Sequence, residues 1–151
     1  MIDIRPFRSD DSEETSAVIT RCLQEVNSRD YTPSQIERLC GEFTPEKMRK
    51  RFGESSFVAV HSKGEEVVGT ATLRADELGS VFVRPDLHGH GVGKSLVLHV
   101  EEVARQRGVM VIRAYSSLTA LTFYLHLGYK EVDEKVEPDG EVTVKIRKQL
   151  L

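Results

Sequence analysis

A glycine-rich turn with a lysine is the stretch of this sequence best suited to chemistry. Residues 88–95 read HGHGVGKS, between an extended apolar segment and a segment with helical apolar spacing. A helix that opens on such a turn offers free backbone N–H groups and the positive end of its dipole, which bind anions, commonly phosphates. Lys94 adds a cation beside that anion. The structural alternative is a tight connection that needs its glycines only for positive φ.

The spacing of the glycines does not match either of two familiar phosphate-binding patterns. A P-loop needs a glycine five residues before Gly93, and that residue is His88. The dinucleotide pattern, started at Gly89 and Gly91, needs a glycine where Lys94 stands. The turn is therefore expected to hold its anion in another way, and ATP binding is a distant alternative.

Metal and thiol chemistry are not indicated. None of the five histidines forms an i, i+4 pair with an acidic partner as in HExxH, and His99 and His126 are interpreted as structural. Cys22 and Cys40 show no CxxC spacing and no grouping with histidines, so no metal is expected. Two isolated thiols fit a reducing compartment, and the expected location is the cytoplasm.

Length and charge limit the function classes. The 151 residues are expected to form a single domain over 1–151. With 24 acidic and 21 basic side chains and a formal charge of −3, the chain lacks the broad cationic surface that nucleic acid binding requires. No segment has the apolar length of a membrane span, and the N-terminus does not resemble an export signal, so no membrane partner is expected.

The elements that must position the turn can be predicted from periodicity. The pattern predicts a strand, a helix, and two short helices opening at Thr32-Pro33 and Thr44-Pro45. Three extended runs from residue 55 to Pro85 predict an antiparallel meander. A helix ending near Gly108, a strand, a Ser- or Thr-capped helix closed by Gly128 and a final hairpin follow. This order predicts an α/β fold whose sheet is antiparallel first and parallel in its middle.

Two motifs give the sequence a close resemblance to the GNAT superfamily of acetyl-CoA-dependent N-acetyltransferases. The family's pyrophosphate pattern, Arg or Gln, two residues, Gly, one residue, Gly or Ala, falls on His88, Gly91 and Gly93, with His88 departing from it. The second motif is present as Phe123-Tyr124 followed by Leu127-Gly128-Tyr129. The resemblance covers roughly residues 57 to 133. It implies a GNAT-type mixed sheet with antiparallel N-terminal strands and a central splayed parallel pair, flanked by helices.

The resemblance implies acetyl-CoA as co-substrate and no metal. Relatives hold the pantetheine arm along the strand before the turn, here Val81, Phe82 and Val83, and the pyrophosphate on the turn itself. Ser117 stands where many relatives carry an Asn that touches the arm. The turn residues implied in cofactor binding are His88, Gly89, His90, Gly91, Val92, Gly93 and Lys94.

The resemblance also implies direct transfer of the acetyl group to an amine. Tyr124 is expected to bind near the sulfur and to protonate the departing thiolate as general acid, although a packed aromatic is the alternative. Glu77 is the first candidate for the base, directly or through water, although a solvated turn carboxylate is the alternative. The oxyanion is expected to meet the backbone N–H of Val83.

The acceptor is the least determined part of the reaction. Tyr31 and Phe43 are candidates to line its pocket, and Asp30, Glu37 and Glu42 could attract a cationic amine, although core packing and a solvated helix face explain them equally well. A small-molecule primary amine is the expected acceptor. The alternatives are a protein lysine or N-terminal amine, and a non-catalytic acyl-CoA-binding module. A homodimer is possible, as in many relatives.

Overall fold

The computed structural model describes residues 1–53 and 55–150. Within them, no helix combines the length and the hydropathy needed to cross a membrane. The strands are β1 (Ile2–Pro6), β2 (Ser56–His61), β3 (Val67–Arg74), β4 (Glu77–Val83), β5 (Val111–Ser117), β6 (Lys130–Val136) and β7 (Val142–Gln149). The helices are α1 (Ser12–Glu25), α2 (Pro33–Gly41), α3 (Pro45–Arg51), α4 (Val92–Gln106) and α5 (Leu121–His126).

The seven strands form one mixed sheet in the order β1-β2-β3-β4-β5-β7-β6. β4 and β5 are its parallel pair, joined through the crossover helix α4, and the other neighbours are antiparallel. β7 inserts between β5 and β6, so the final hairpin extends the sheet beyond the parallel pair. The predicted mixed sheet with an antiparallel start and a parallel middle is confirmed.

Helices cover the sheet on both faces, and β2 shows why. Its side chains alternate between the faces. Phe57 and Ala59 belong to the core cluster that contains the apolar side of α4, whereas Val58 and Val60 pack with Val18 of α1. Because both faces are covered, nearly every residue of β2 is buried.

The two short helices begin where the Thr-Pro pairs predict. The Thr32 hydroxyl accepts a hydrogen bond from the Gln35 N–H at 3.1 Å, and the Gln35 side-chain oxygen accepts one from the Thr32 N–H at 3.0 Å. Thr44 accepts from the Lys47 N–H in the same position of α3. Both caps orient their helices over the α1 side of the sheet, where Ile36 and Met48 pack with Ile19.

The parallel pair separates after two residues, which opens the sheet. Only Glu77 with Arg113 and Leu78 with Ala114 are paired between β4 and β5. Beyond them β4 bulges, because Ser80 and Val81 oppose a single residue of β3, and Ser80 has a φ of 49°. The predicted splayed pair is confirmed.

The predicted Ser- or Thr-capped helix after β5 is wrong in its start. Ser116 and Ser117 extend β5 by pairing with Val144 and Thr143 of β7, and the Ser117 hydroxyl accepts from the Ala120 N–H in the turn before the helix rather than from an N–H of the helix itself. α5 begins only at Leu121 behind Ala120, without a side-chain cap. Long-range pairing with β7 therefore overrides the local capping preference of serine.

A buried ionic network fixes α4 to the C-terminal half of the sheet. Glu101 is fully buried, accepts a hydrogen bond from the Tyr129 hydroxyl at 2.9 Å, and pairs with the Lys148 ammonium at 2.9 Å. Tyr129 ends the Leu-Gly-Tyr motif, so this motif ties the end of α5 to α4. The network holds the crossover helix α4 against the sheet, in which β4 and β5 diverge.

Candidate active site

A cavity of about 670 Å³ lies where β4 and β5 separate. Its wall is formed by α1, the end of α2, β4, the glycine-rich turn, β5, α5 and the start of β7. The predicted site residues that line it are Tyr31, Phe43, Val81, Phe82, Val83, His88, Gly89, Gly91, Val92, Gly93, Lys94, Ser117 and Tyr124. Glu77 and His90 are not among its lining residues.

The glycine-rich turn presents backbone donors to this cavity. Gly89 and Gly91 both have a φ of 83°, a conformation that glycine adopts without strain. In the described part of the chain, no acceptor is bonded to the N–H groups of Gly89, Gly91, Val92, Gly93 and Lys94. These donors and the positive end of the 15-residue helix α4 form a site suited to a phosphate.

Gly93 shows that the two sequence motifs meet in space. A Cβ at Gly93 would lie 3.2 Å from two ring carbons of Phe123, closer than side chains normally approach. The first turn of α4 therefore packs directly against α5 because residue 93 has no side chain. This contact brings the anion-binding turn and Tyr124 to the same cavity.

His88, where the family pattern has Arg or Gln, folds back onto β4. Its Nε2 lies 2.7 Å from the Val83 carbonyl oxygen, so this nitrogen carries the proton and donates it. The same oxygen accepts from the Cys22 thiol at 2.7 Å. Burial raises the pKa of Cys22 to about 12, so the thiol remains a neutral donor at neutral pH. One carbonyl thus ties α1, β4 and the turn together.

Tyr124 occupies the wall that α5 contributes. Its ring packs edge to face on Phe123 and Tyr129, with centroids 5.1 Å and 5.6 Å away. Among the described residues nothing is hydrogen-bonded to its hydroxyl. Burial raises the pKa of Tyr124 well above its ordinary value, so the phenol keeps its proton at neutral pH.

Tyr31 and Phe43 also line the cavity, but their surroundings differ. The Tyr31 hydroxyl accepts from the Leu118 N–H at 2.9 Å and lies 3.2 Å from the Val142 carbonyl oxygen, to which it donates. It joins the loop after α1 to β5 and β7, with both hydrogen-bonding functions engaged. Phe43 packs edge to face on Phe82 of β4 at 5.5 Å. Both residues therefore shape the cavity, and Phe43 does so through its apolar ring.

Ser117 and Glu77 lie at opposite ends of the separated strands. The Ser117 hydroxyl accepts from the Ala120 N–H at 3.1 Å, which shapes the connection from β5 to α5. Glu77 is the first residue of β4, paired with Arg74 and Arg113 where the strands are still joined. The structure therefore does not bring Glu77 together with Tyr124 at the cavity wall.

The sequence reasoning missed a carboxylate at the far end of the cavity. Glu141 immediately precedes β7, lines the cavity and is buried. Its side chain is held by Arg38 of α2, which also binds Asp139 at 2.7 Å. Glu42, considered from sequence as one of several acidic residues, lines the same end. The only local signal for Glu141 was its place after the Asp-Gly turn of the closing hairpin.

No group of three or more His, Cys, Asp or Glu side chains within residues 1–53 and 55–150 is arranged to hold a metal ion. The groups that line the cavity include the backbone donors of the turn, Tyr124, Lys94 and the carboxylates at the far end.

Comparison with known proteins gives consistent results. The sequence matches the acetyltransferase (GNAT) domain over residues 27–150. It is 30% identical to the peptidyl-lysine N-acetyltransferase YjaB of Salmonella typhimurium over 146 residues, which cover 91% of this chain and 93% of that protein. It is 28% identical to the glucosamine 6-phosphate N-acetyltransferase of Trypanosoma brucei brucei over 103 residues, covering 61% and 70% of the two chains.

A solved structure supports the fold. The crystal structure of a GCN5-related N-acetyltransferase from Rhodopseudomonas palustris superposes with a TM-score of 0.90 and covers 97% of this chain and 94% of its own. At 22% sequence identity, this likeness concerns the fold alone.

Proposed function

Because this chain belongs to the GNAT family of acetyltransferases, it is an acetyl-CoA-dependent N-acetyltransferase, and we propose that it acetylates a primary amine bound in the cavity. The observation that carries the proposal is a single cavity with phosphate-binding amides at one end and an unengaged tyrosine hydroxyl on its wall. With both substrates bound, the amine nitrogen attacks the thioester carbon directly. No protein nucleophile is required.

The pyrophosphate of the cofactor is proposed to bind at the start of α4. Five backbone N–H groups without a protein acceptor, from Gly89 to Lys94, support this placement, and Lys94 adds a positive charge. The pantetheine arm is proposed to follow Val81, Phe82 and Val83, because β5 no longer pairs with this part of β4. An arm in this position acts as a short extra strand in the sheet.

Tyr124 is proposed as the general acid. When the tetrahedral intermediate collapses, the C–S bond breaks and the thiolate needs a proton, which the phenol supplies. Its raised pKa keeps that proton in place until a strong base such as a thiolate forms nearby. The nitrogen must lose its own proton, and Glu77 could accept it only through water because Glu77 does not line the cavity.

The acceptor is proposed to be a small primary amine. The cavity of about 670 Å³ must hold the acetyl-pantetheine end as well as the acceptor, which leaves room for a small group. The side chain of a protein lysine is the second candidate, favoured by the similarity to a peptidyl-lysine N-acetyltransferase over 91% of this chain. Both acceptors present the same reacting group to the cavity.

The Tyr124→Phe variant tests the proposal. We expect the Kd for CoA, measured by calorimetric titration, to stay within about twofold, because the ring and its packing are kept. We expect kcat, followed as release of free CoA thiol with a panel of amines, to fall by about 10²-fold or more because the proton donor is lost. The matched control is Tyr129→Phe, which removes a buried hydroxyl outside the cavity. This control is expected to lose stability but to keep kcat.

Two results would overturn the proposal. A wild-type protein that binds CoA but releases no thiol with any amine would be a non-catalytic acyl-CoA-binding module. A wild-type protein that binds ATP more tightly than acetyl-CoA in parallel titrations would have a different ligand on its glycine-rich turn.

A further inference from the structure

The two ends of the cavity carry opposite charge. Lys94 is the only lysine or arginine among its lining residues, and it lies beside the backbone donors of α4. Glu42 and Glu141 line the cavity as well, at the end formed by α2 and β7. The phosphate-bearing cofactor is proposed to occupy the first end, so the second end is left for the acceptor.

Glu141 is held rigidly at this acceptor end. Its side chain is only 8% exposed, and its backbone N–H donates to Asp139 at 3.0 Å. The Arg38 guanidinium donates to one carboxylate oxygen of Glu141. Its other carboxylate oxygen has no hydrogen-bond partner among residues 1–53 and 55–150. Glu141 therefore keeps an acceptor oxygen in a fixed position without a protein donor.

The arginine that holds Glu141 also serves other carboxylates. Arg38 is shared by three carboxylates: Asp139 at 2.7 Å, Glu42 at 3.7 Å, and Glu141. These three carboxylates share one guanidinium, while Lys135, whose pKa is raised by its hydrogen bond to Glu137 and also by Glu141, and Arg51, which donates to the Glu42 carbonyl oxygen, offset part of the negative charge. Asp30, bound by the hydroxyl of the cavity residue Thr119 at 2.7 Å, adds to it. Such a region attracts cations and repels anionic groups.

We infer that Glu141 selects the acceptor by charge: it binds the ammonium form of the amine, and the enzyme prefers cationic acceptors over those that carry a carboxylate or a phosphate. The inference rests on the proposed function, because it assigns the acceptor to the end of the cavity away from the turn. Glu141 acts as a specificity residue, and the acetyl transfer does not require it as a base. A lysine side chain without a neighbouring negative charge fits this site, whereas a sugar phosphate does not.

Pairs of acceptors that differ by one negative group test the preference. The first pair is Nα-acetyl-lysine amide and Nα-acetyl-lysine, and the second is glucosamine and glucosamine 6-phosphate. We expect the wild-type kcat/KM to be at least about tenfold higher for the less negative member of each pair. Equal values, or a preference for the phosphorylated sugar, would overturn the inference.

The Glu141→Gln variant assigns the preference to this residue. We expect its KM for Nα-acetyl-lysine amide to rise about tenfold, its kcat to change by less than about threefold, and the ratio within each acceptor pair to shrink. Glu141→Asp keeps the charge and is expected to retain part of the preference. Glu134→Gln, on the exposed strand β6 and outside the cavity, is the matched control and is expected to behave as wild type.

The remaining outcomes are distinguishable. An unchanged KM in Glu141→Gln would overturn the inference, and so would a large loss of kcat with unchanged KM, since that result marks a base. The Kd for CoA reports whether each variant is folded, because the turn lies at the other end of the cavity. If the wild type binds CoA but releases no thiol with any acceptor, that result overturns the proposed function itself, whatever the Glu141 variants show.

Discussion

At the scale of single residues, the side chains of the cavity are set by contacts far apart in sequence. The Tyr31 hydroxyl is hydrogen-bonded to the backbone of Leu118 and Val142. Arg38 is hydrogen-bonded to Glu141, which is 103 positions away in the chain. Tyr124, in contrast, is fixed mainly by its neighbours Phe123 and Tyr129. A short motif can therefore identify the proposed acid, while the acceptor-binding residues depend on the whole fold.

Glu77 gives a prediction at this scale. We expect Glu77→Gln to keep kcat within about threefold of the wild-type value, because the carboxylate does not line the cavity. Steady-state kinetics between about pH 6 and pH 9 would measure the effect and its pH dependence. A loss of tenfold or more, together with loss of the acidic limb of the profile, would instead assign Glu77 as a base that works through water.

Residue types alone led to the prediction of an anion-binding turn, which stays a prediction. The anion-binding role of the turn follows from glycines before a helix, and the structure leaves its amides without protein acceptors. Glu141 could not be found in this way, since an Asp-Gly-Glu turn is ordinary at the tip of a hairpin. Its position in the cavity depends on Arg38 and on β7 pairing beside β5, and neither contact leaves a local signal.

At the scale of elements, the turn before α4 requires glycine for two different reasons. Gly89 and Gly91 need it for a left-handed backbone, and at Gly93 an added Cβ would lie 3.2 Å from the Phe123 ring, so that ring would have to shift. The direction of the free N–H groups therefore depends on these three positions. If the cofactor binds this turn as proposed, its binding depends on the packing of α4 on α5.

Gly91→Ala tests this coupling. A non-glycine residue at a φ of 83° costs about 1–2 kcal/mol, so the backbone is expected to shift and misplace the amides at the start of α4. We expect the Kd for CoA to rise about tenfold, measured by calorimetric titration. Gly41→Ala is the matched control, because nothing lies within 4 Å of its added methyl group and its φ is not positive. Equal affinity in the two variants would contradict the prediction.

Element boundaries followed the sequence where the signals were local. Thr-Pro pairs started α2 and α3, and Gly108 follows the end of α4. The start of α5 was mispredicted because Ser117 was needed in a strand whose partner, β7, comes later in the chain. The free energy gained from a helix cap is small, and the free energy gained from long-range strand pairing exceeds it.

At the scale of the whole molecule, buried thiol and phenol groups cause the free energy of unfolding to decrease at alkaline pH. Burial raises the pKa of Cys22 to about 12, and burial raises the pKa values of Tyr124 and Tyr129 above the ordinary tyrosine value. In each case the folded state holds its proton more tightly than the unfolded state. Their contributions are therefore fully present below the unfolded pKa values and are lost as pH rises above them.

This dependence can be measured through Cys22. We expect the free energy of unfolding, from urea titrations, to fall above about pH 8.5, with Cys22 contributing up to about 1.4 kcal/mol per pH unit. Cys22→Ser keeps a hydrogen-bond donor for the Val83 carbonyl but does not titrate in this range. Its stability is expected to fall less steeply between about pH 9 and pH 10. Parallel curves for the two proteins would contradict the assignment.

Only two residue pairs join the first four strands of the sheet to the last three, Glu77 with Arg113 and Leu78 with Ala114. In the proposed binding mode, the pantetheine arm supplies part of the missing connection, and this arm is identical in acetyl-CoA and in free CoA. In that binding mode, free CoA makes the same contacts along β4 as acetyl-CoA does. Release of the product must then break these contacts, so the rate of this release would set an upper limit on kcat.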